Sequence, residues 1–240
     1  MMIPQETRKA PESGPKSRIQ RVLRLSPLFE RASRTTRETA LGIAEVDVVP
    51  GGTVILAQGA PVQALLLLGR GRARIERMAG AASVPLGYRG PGEVLGESCL
   101  GGANEHTEKV TAMEEAEIVR IPIAPLRELT AADPALGMAM LALLTARQRE
   151  TEDRIESMLF RNVEGRLAEF LLKAADRWGV PVPKGTLISA PITHLEIANS
   201  IGSTRETVTV TLGKLRREGL LDVAGRRLIV RDREALATRG

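Results

Sequence analysis

Cysteine, aromatic side chains and long apolar runs are all scarce in this chain of 240 residues. Its one cysteine, Cys99, has no partner for an intramolecular disulfide, and a four-cysteine zinc or iron-sulfur site is excluded with it. A reducing, cytoplasmic setting suits such a chain. The longest apolar runs, such as Ala64 to Leu68, fall far short of the roughly 20 residues a membrane-spanning helix needs. The start, Met1 to Glu6, lacks the apolar stretch of a signal peptide, so neither membrane insertion nor secretion is expected. Histidine is nearly as rare: His106 and His194 fall in segments expected to lie in different domains, which leaves no metal cluster. A Ser-His-Asp set, a pair of catalytic carboxylates with a histidine and a phosphate-binding glycine loop are all missing too, so no catalytic residues are assigned and an enzyme is not expected.

What is abundant is charge, and it is unevenly spread. With 26% charged residues and 2% aromatic ones the chain reads as soluble, globular and polar-surfaced. The formal charge of +5 divides into +6 for Met1 to Arg37, −5 for Glu38 to Asn162 and +4 for Val163 to Gly240. A polyanionic partner would therefore be met by the ends and not by the middle.

Residues 1–18, with Pro4, Pro11, Gly14 and Pro15 among Arg8, Lys9, Lys16 and Arg18, hold little that could be buried and read as a disordered basic tail. The spacing of Ile19, Val22, Leu23, Leu25, Leu28 and Phe29 predicts short helices broken at Pro27, and Arg34 to Ile43 predicts another. From Val46 to Ile121 seven short Val, Ile and Leu segments alternate with glycine and proline corners, the pattern of a small antiparallel barrel or roll. Residues 19–132 thus form a β-roll domain with short helices ahead of it. Asp133-Pro134 then opens a long helix over 133–162, with Leu136, Met140, Leu143, Leu144, Ile155, Met158 and Leu159 on one stripe. The stripe is interrupted by Arg147, Gln148 and Thr151. A helix of this length between two domains suits pairing with its copy in a second subunit, although packing on its own domain is the plainer use.

Residues 163–240 carry the nucleic-acid signal. Val163 to Trp178 predicts a helix, Gly179 to Gly185 a proline-containing loop, and Leu187 to Ser189 a strand. Thr193 with Glu196 and Ser203 with Glu206 are two S/T-x-x-E capping boxes ten residues apart, with Gly202 in the turn between them. Small Ala198 allows a close crossing, and Ile197, Ile201, Val208, Leu212 and Leu215 supply a shared core, so the segment predicts a helix-turn-helix. The second helix leaves Arg205, Glu206, Thr209 and Val210 outward, where such motifs meet base edges. Arg fits guanine bidentately, Glu accepts from cytosine, and Val210 can touch a thymine methyl. Two strands joined through Ala224 to Arg227 form a wing, and Thr193, Ser203, Thr204, Lys214, Arg216, Arg217, Arg226 and Arg227 are the expected phosphate contacts.

An α+β chain of β-roll, long helix and winged helix-turn-helix resembles the CRP/FNR superfamily of transcription regulators, most closely in Gly92-Glu93-Val94-Leu95-Gly96-Glu97 and in Ile197 through Val208. The resemblance implies a cyclic-nucleotide-binding type of roll, a dimerisation helix, a homodimer on a palindromic double-stranded DNA site with TGT or GTG-like half-sites, and contact with RNA polymerase. It implies a ligand pocket at Gly96, Glu97, Ser98, His106, Thr107 and Thr151. Relatives that bind cyclic AMP carry an Arg-Ser or Arg-Thr pair where this chain has His106-Thr107, and a neutral imidazole is a poor substitute for a guanidinium fork. Cyclic AMP is disfavoured on that ground, which leaves another nucleotide effector or none. A nucleotide-sensing or protein-interaction module that no longer reads DNA is the alternative expectation. Cys99 reads as a small core residue.

Overall fold

The computed structural model describes residues 14–80, 82–190 and 192–239. The chain divides into two compact units: one holds the described residues up to Ser83 with Gly87–Thr145, the other Val84–Leu86 with the residues from Ala146 onward.

The first unit opens with helices α1 (Pro15–Leu25), α2 (Pro27–Glu30) and α3 (Arg34–Ile43). Strands β1 (Glu45–Val49), β2 (Val54–Leu56), β3 (Ala64–Arg70), β4 (Ala73–Ala79), β5 (Ala82–Arg89), β6 (Val94–Leu95), β7 (Lys109–Ala112) and β8 (Ala116–Pro122) follow, with a 3-10 turn over Glu97–Gly101. They form two four-stranded sheets, ordered β1-β8-β3-β6 and β2-β7-β4-β5. The apolar run in β3 is continuous because the strand is covered on both faces. Leu66 and Leu68 face one cluster with Ile55, Ile75, Val110 and Ile118 from the two sheets, while Leu65 and Leu67 face a second with Ile19, Val22 and Phe29 from α1 and α2. Helix α4 (Ile123–Ala132) and the start of α5 (Pro134–Phe160) close the second cluster through Leu126, Leu136 and Met140.

The basic tail expected over residues 1–18 needs correction at its end. Residues 1–13 lie outside the described ones, but Pro15 to Arg18 are already helical. Arg18 Nε and Arg21 Nη2 donate to the buried Glu117 carboxylate at 2.7 and 2.6 Å, so basic side chains with no apolar value anchor α1 to β8. Asp133 performs a similar service at the head of α5: its carboxylate accepts from Ser33 N at 2.8 Å and from Ala135 N at 3.0 Å. These bonds, Ser33 first, push its pKa down to about 2.

The second unit contains α6 (Val163–Trp178), a hairpin of β9 (Gly179–Val182) and β10 (Gly185–Ile188), then α7 (His194–Ile201), α8 (Arg205–Arg217), β11 (Leu221–Ala224), β12 (Arg227–Val230) and α9 (Arg233–Ala237). Its sheet order is β11-β12-β10-β9. The segment expected as a loop from Gly179 is therefore half strand. Pro181 is tolerated there because β9 is the edge of the sheet, where a missing N–H breaks no ladder. Among the described residues no single helix is long and apolar enough to cross a membrane.

Candidate nucleic-acid interface and effector pocket

The helix-turn-helix is built by caps and a small crossing residue. Thr193 Oγ1 accepts from Glu196 N at 3.2 Å while the Glu196 carboxylate accepts from Thr193 N at 2.8 Å, a complete capping box. Gly202 ends α7 in the left-handed region at φ 63, which a side chain would disfavour. The second helix starts one residue later than the sequence pattern suggests: Thr204, not Ser203, is the cap, its Oγ1 accepting from Thr207 N at 3.1 Å. Ile197, Ala198, Ile201, Val208, Leu212 and Leu215 are all buried, joined by Leu167, Leu171 and Leu236 from the flanking helices.

At 100° per residue, the side of α8 opposite Val208, Leu212 and Leu215 carries Glu206, Val210, Gly213 and Arg217, with Arg205, Thr209 and Arg216 on one flank. Val210 is 70% exposed. Arg205, Arg216, Arg217, Arg226 and Arg227 are exposed, and none is ion-paired among the described residues. Exposed guanidinium groups without carboxylate partners keep their charge available for phosphate or base edges. Two of the expected contacts are engaged elsewhere. Lys214 Nζ donates to Glu164 on α6 at 2.5 Å, and together with Arg239 it holds that carboxyl below its ordinary range. Thr209 Oγ1 donates to Arg205 O and lies 2.8 Å from His194 Nδ1, so its hydroxyl clamps α8 to α7 and does not face outward as a free reader.

In the roll, Gly96 and His106 approach each other at the start of the 3-10 turn that carries Glu97 and Ser98, and Thr107 follows His106 along the chain. A Cβ at Gly96 would lie 3.1 Å from His106 Cε1, so the imidazole packs against bare backbone. His106 is buried, its Nδ1 makes no hydrogen bond, and burial lowers its pKa, which keeps it neutral at pH 7. Thr107 Oγ1 donates to the buried Glu108 carboxylate at 2.5 Å. Cys99 is buried beside them. Burial first, and then Glu97 and Glu108, push its thiol up to about 12, far from the thiolate that redox chemistry needs. Thr151, the remaining pocket candidate, lies in the second unit and donates to Arg147 O at 3.0 Å.

Two domain families match the chain: the cyclic nucleotide-binding domain over residues 46–133 and the Crp-like helix-turn-helix domain over residues 165–239. The cyclic AMP receptor protein of Thermus thermophilus is 32% identical over 197 residues, 82% of this chain and 88% of that protein. The chain belongs to the CRP/FNR superfamily. A CRP-like cAMP-activated global transcriptional regulator of Mycobacterium tuberculosis is 29% identical over 192 residues, 79% of this chain and 85% of that one. The solved structure of a CRP/FNR-family transcriptional regulator from Thermus thermophilus superposes with a TM-score of 0.68 at 27% identity, covering 82% of this chain and all of that one. The chain is a DNA-binding transcription regulator of the CRP/FNR type.

Measured against that family's plan, the long helix needs one correction. Leu136 and Met140, expected on the dimer stripe, are buried in the roll's own core, and Leu143 packs half-buried against it. Ile155, Met158 and Leu159 of the expected stripe are exposed, and Met138, Leu141 and Phe160 complete the exposed apolar set of α5. Met138, Leu141, Ile155 and Leu159 repeat at the 3.5-residue spacing of a coiled-coil seam, with Thr145, Gln148 and Glu152 between them. Sequence pattern also gave no role to Arg166. Its Nε donates to Ile201 O at 2.8 Å and its Nη1 to Arg161 O at 2.7 Å, tying the end of α5 to the turn between α7 and α8.

Proposed function

We propose that this CRP/FNR protein binds a palindromic DNA site as a homodimer, reads TGT or GTG-like half-sites through α8, and does so without cyclic AMP. The observation that carries the reading is the exposed face of α8, where Arg205 and Glu206 stand at the helix start beside Arg216, Arg217 and the wing arginines Arg226 and Arg227. Arg205 supplies a bidentate donor for guanine and Glu206 an acceptor for cytosine N4. Val210 offers only an apolar surface at the next outward position, so preference there is relaxed toward thymine. Pairing through the exposed stripe of α5 supplies the second copy that a palindrome requires. Contact with RNA polymerase and a cytoplasmic setting follow from the same reading.

The absence of a cyclic AMP response rests on His106, a buried neutral imidazole at the position expected to grip a phosphate, with Glu97 and Glu108 close by. The test is sedimentation of the full chain with a palindromic duplex and with a single half-site, each with and without cyclic AMP. Two protomers per palindrome, weak half-site binding and no change with nucleotide are expected. One protomer per duplex, or an operator complex that forms only with cyclic AMP, contradicts it.

A further inference from the structure

The +6 of Met1 to Arg37 is a charge block that DNA reading by α8 and the wing leaves unused, and none of it precedes Gly14. Residues 1–13 carry two basic and two acidic side chains, whereas Gly14 to Arg37 carry seven basic ones against Glu30 alone. Arg18 and Arg21 are taken up by Glu117. Arg24, Arg34 and Arg37 instead gather where α1 and α3 leave a cleft of about 310 Å³, a volume within the range of small-molecule sites. From α1 come Gln20, Leu23 and Arg24, and from α3 Arg34, Arg37, Glu38 and Leu41, in each helix the i, i+3, i+4 spacing of a single face. Leu23 is buried and Leu41 half-buried in the roll's second apolar cluster, so the cleft has an apolar floor.

The charges on its walls do not cancel. Arg34 Nε donates to Glu38 at 2.7 Å, an i, i+4 pair that uses the carboxylate lining the cleft. Arg37 Nη1 donates to Glu30 O at 3.2 Å and to Ala32 O at 2.7 Å, so the chain between α2 and α3 fixes this guanidinium and leaves its Nε and Nη2 unused. Arg24, in the last turn of α1, is exposed and has no ion pair among the described residues. Two uncommitted guanidinium groups beside two leucines suit a carboxylate, which accepts their N–H groups in pairs, carried on an apolar chain.

We propose that the cleft between α1 and α3 binds a small organic carboxylate with an apolar chain, its charge held by Arg24 and Arg37 and its chain laid against Leu23 and Leu41. The site shares no residue with the pocket expected at Gly96 to Thr107 or with α8. Equilibrium dialysis of the full chain without DNA tests it, with octanoate as the probe and octanol, octylammonium, inorganic phosphate and a tetraglutamate peptide as comparisons. About one octanoate per chain should bind with half-saturation below about 1 mM, and octanol at least about tenfold more weakly. Octylammonium should not bind, and neither phosphate nor tetraglutamate at equal concentration should displace octanoate. Arg24→Gln removes a charge that makes no ion pair within the fold, so it should weaken octanoate binding at least about tenfold and leave the unfolding midpoint unchanged. Gln20→Glu adds a carboxylate to an exposed wall of the cleft and should weaken octanoate similarly; it carries the test if Arg24→Gln does not fold. Octanoate bound no better than octanol, or equally well by wild type and both variants, overturns the proposal. Displacement by phosphate or by tetraglutamate overturns it too, since the cleft would then serve a phosphate or an acidic peptide. Arg205→Ala should bind octanoate as wild type does, and failure of wild type to bind any operator would sink the DNA reading while leaving this result standing.

Discussion

Val210 projects from the second turn of α8 with its methyl groups in solvent, a position that nothing in the fold of the unit requires to be apolar. Replacing it by arginine adds a second bidentate donor to the groove-facing side. Val210→Arg should therefore sharpen discrimination at one base pair per half-site by about 1–3 kcal/mol, read by competition between duplexes differing only at that pair. Unchanged discrimination would place Val210 outside the reading face. Asp133 makes a different kind of prediction. Its carboxyl titrates at about 2 in the fold against an ordinary 3.8, so the stability it supplies is complete above the ordinary value and disappears as pH falls through about 2. Acid titrations of urea unfolding should show wild type more stable than Asp133→Asn above pH 4, with the gap closing toward pH 2; a gap independent of pH contradicts the assignment. Arg205 and Glu206 were legible as residues of the first turn of α8 because Gly202 marks the turn before it, although the capping signal itself was one residue off, Thr204 and not Ser203 being the cap. The clamp between Thr209 and His194 was not, and neither was the role of Arg166, because both depend on how elements distant along the chain approach.

At the level of elements, turn chemistry decides how accurately the recognition helix is presented. Gly202 is the only residue between α7 and α8 with positive φ, and a Cβ there meets only the Met158 methyl at 3.8 Å, so its value is conformational and not steric. Gly202→Ala should cost about 1 kcal/mol or more in urea unfolding and weaken operator binding in proportion, whereas a neutral outcome would show that the turn tolerates a side chain. Period and punctuation gave the ends of α3 and α6 to the residue, since each is bounded by a cap or a change of pattern. They missed α4, with Pro125 inside its first turn, and β9, with Pro181 on a sheet edge, because proline read locally is a breaker while its tolerance depends on position in the finished fold. They also put the wrong residues forward for the first half of the α5 stripe, while Ile155, Met158 and Leu159 in its second half are exposed. Leu136 and Met140 look like seam residues in one dimension, and only the packed roll shows that its own core already covers them.

Across the whole molecule, the uneven charge now has an assignment over the described residues. Much of the second unit's positive charge sits on arginines of α8 and the wing that no carboxylate neutralises, while the acidic middle belongs largely to the roll and long helix. Phosphate contacts made by such a surface release counterions, so affinity for any duplex should fall steeply as salt rises, whether or not its sequence matches. Sequence preference must come from the outward residues of the first two turns of α8, chiefly Arg205 and Glu206, and the two can be separated in one experiment. The most direct measurement is competition binding of wild type and Arg205→Ala between a TGT/GTG palindrome and a scrambled duplex over a range of salt. The expected result is a preference of wild type for the palindrome of about a thousandfold or more, nearly all of it lost in Arg205→Ala with the salt slope almost unchanged. Equal binding of both duplexes by wild type, or a preference that survives loss of Arg205, would contradict the account.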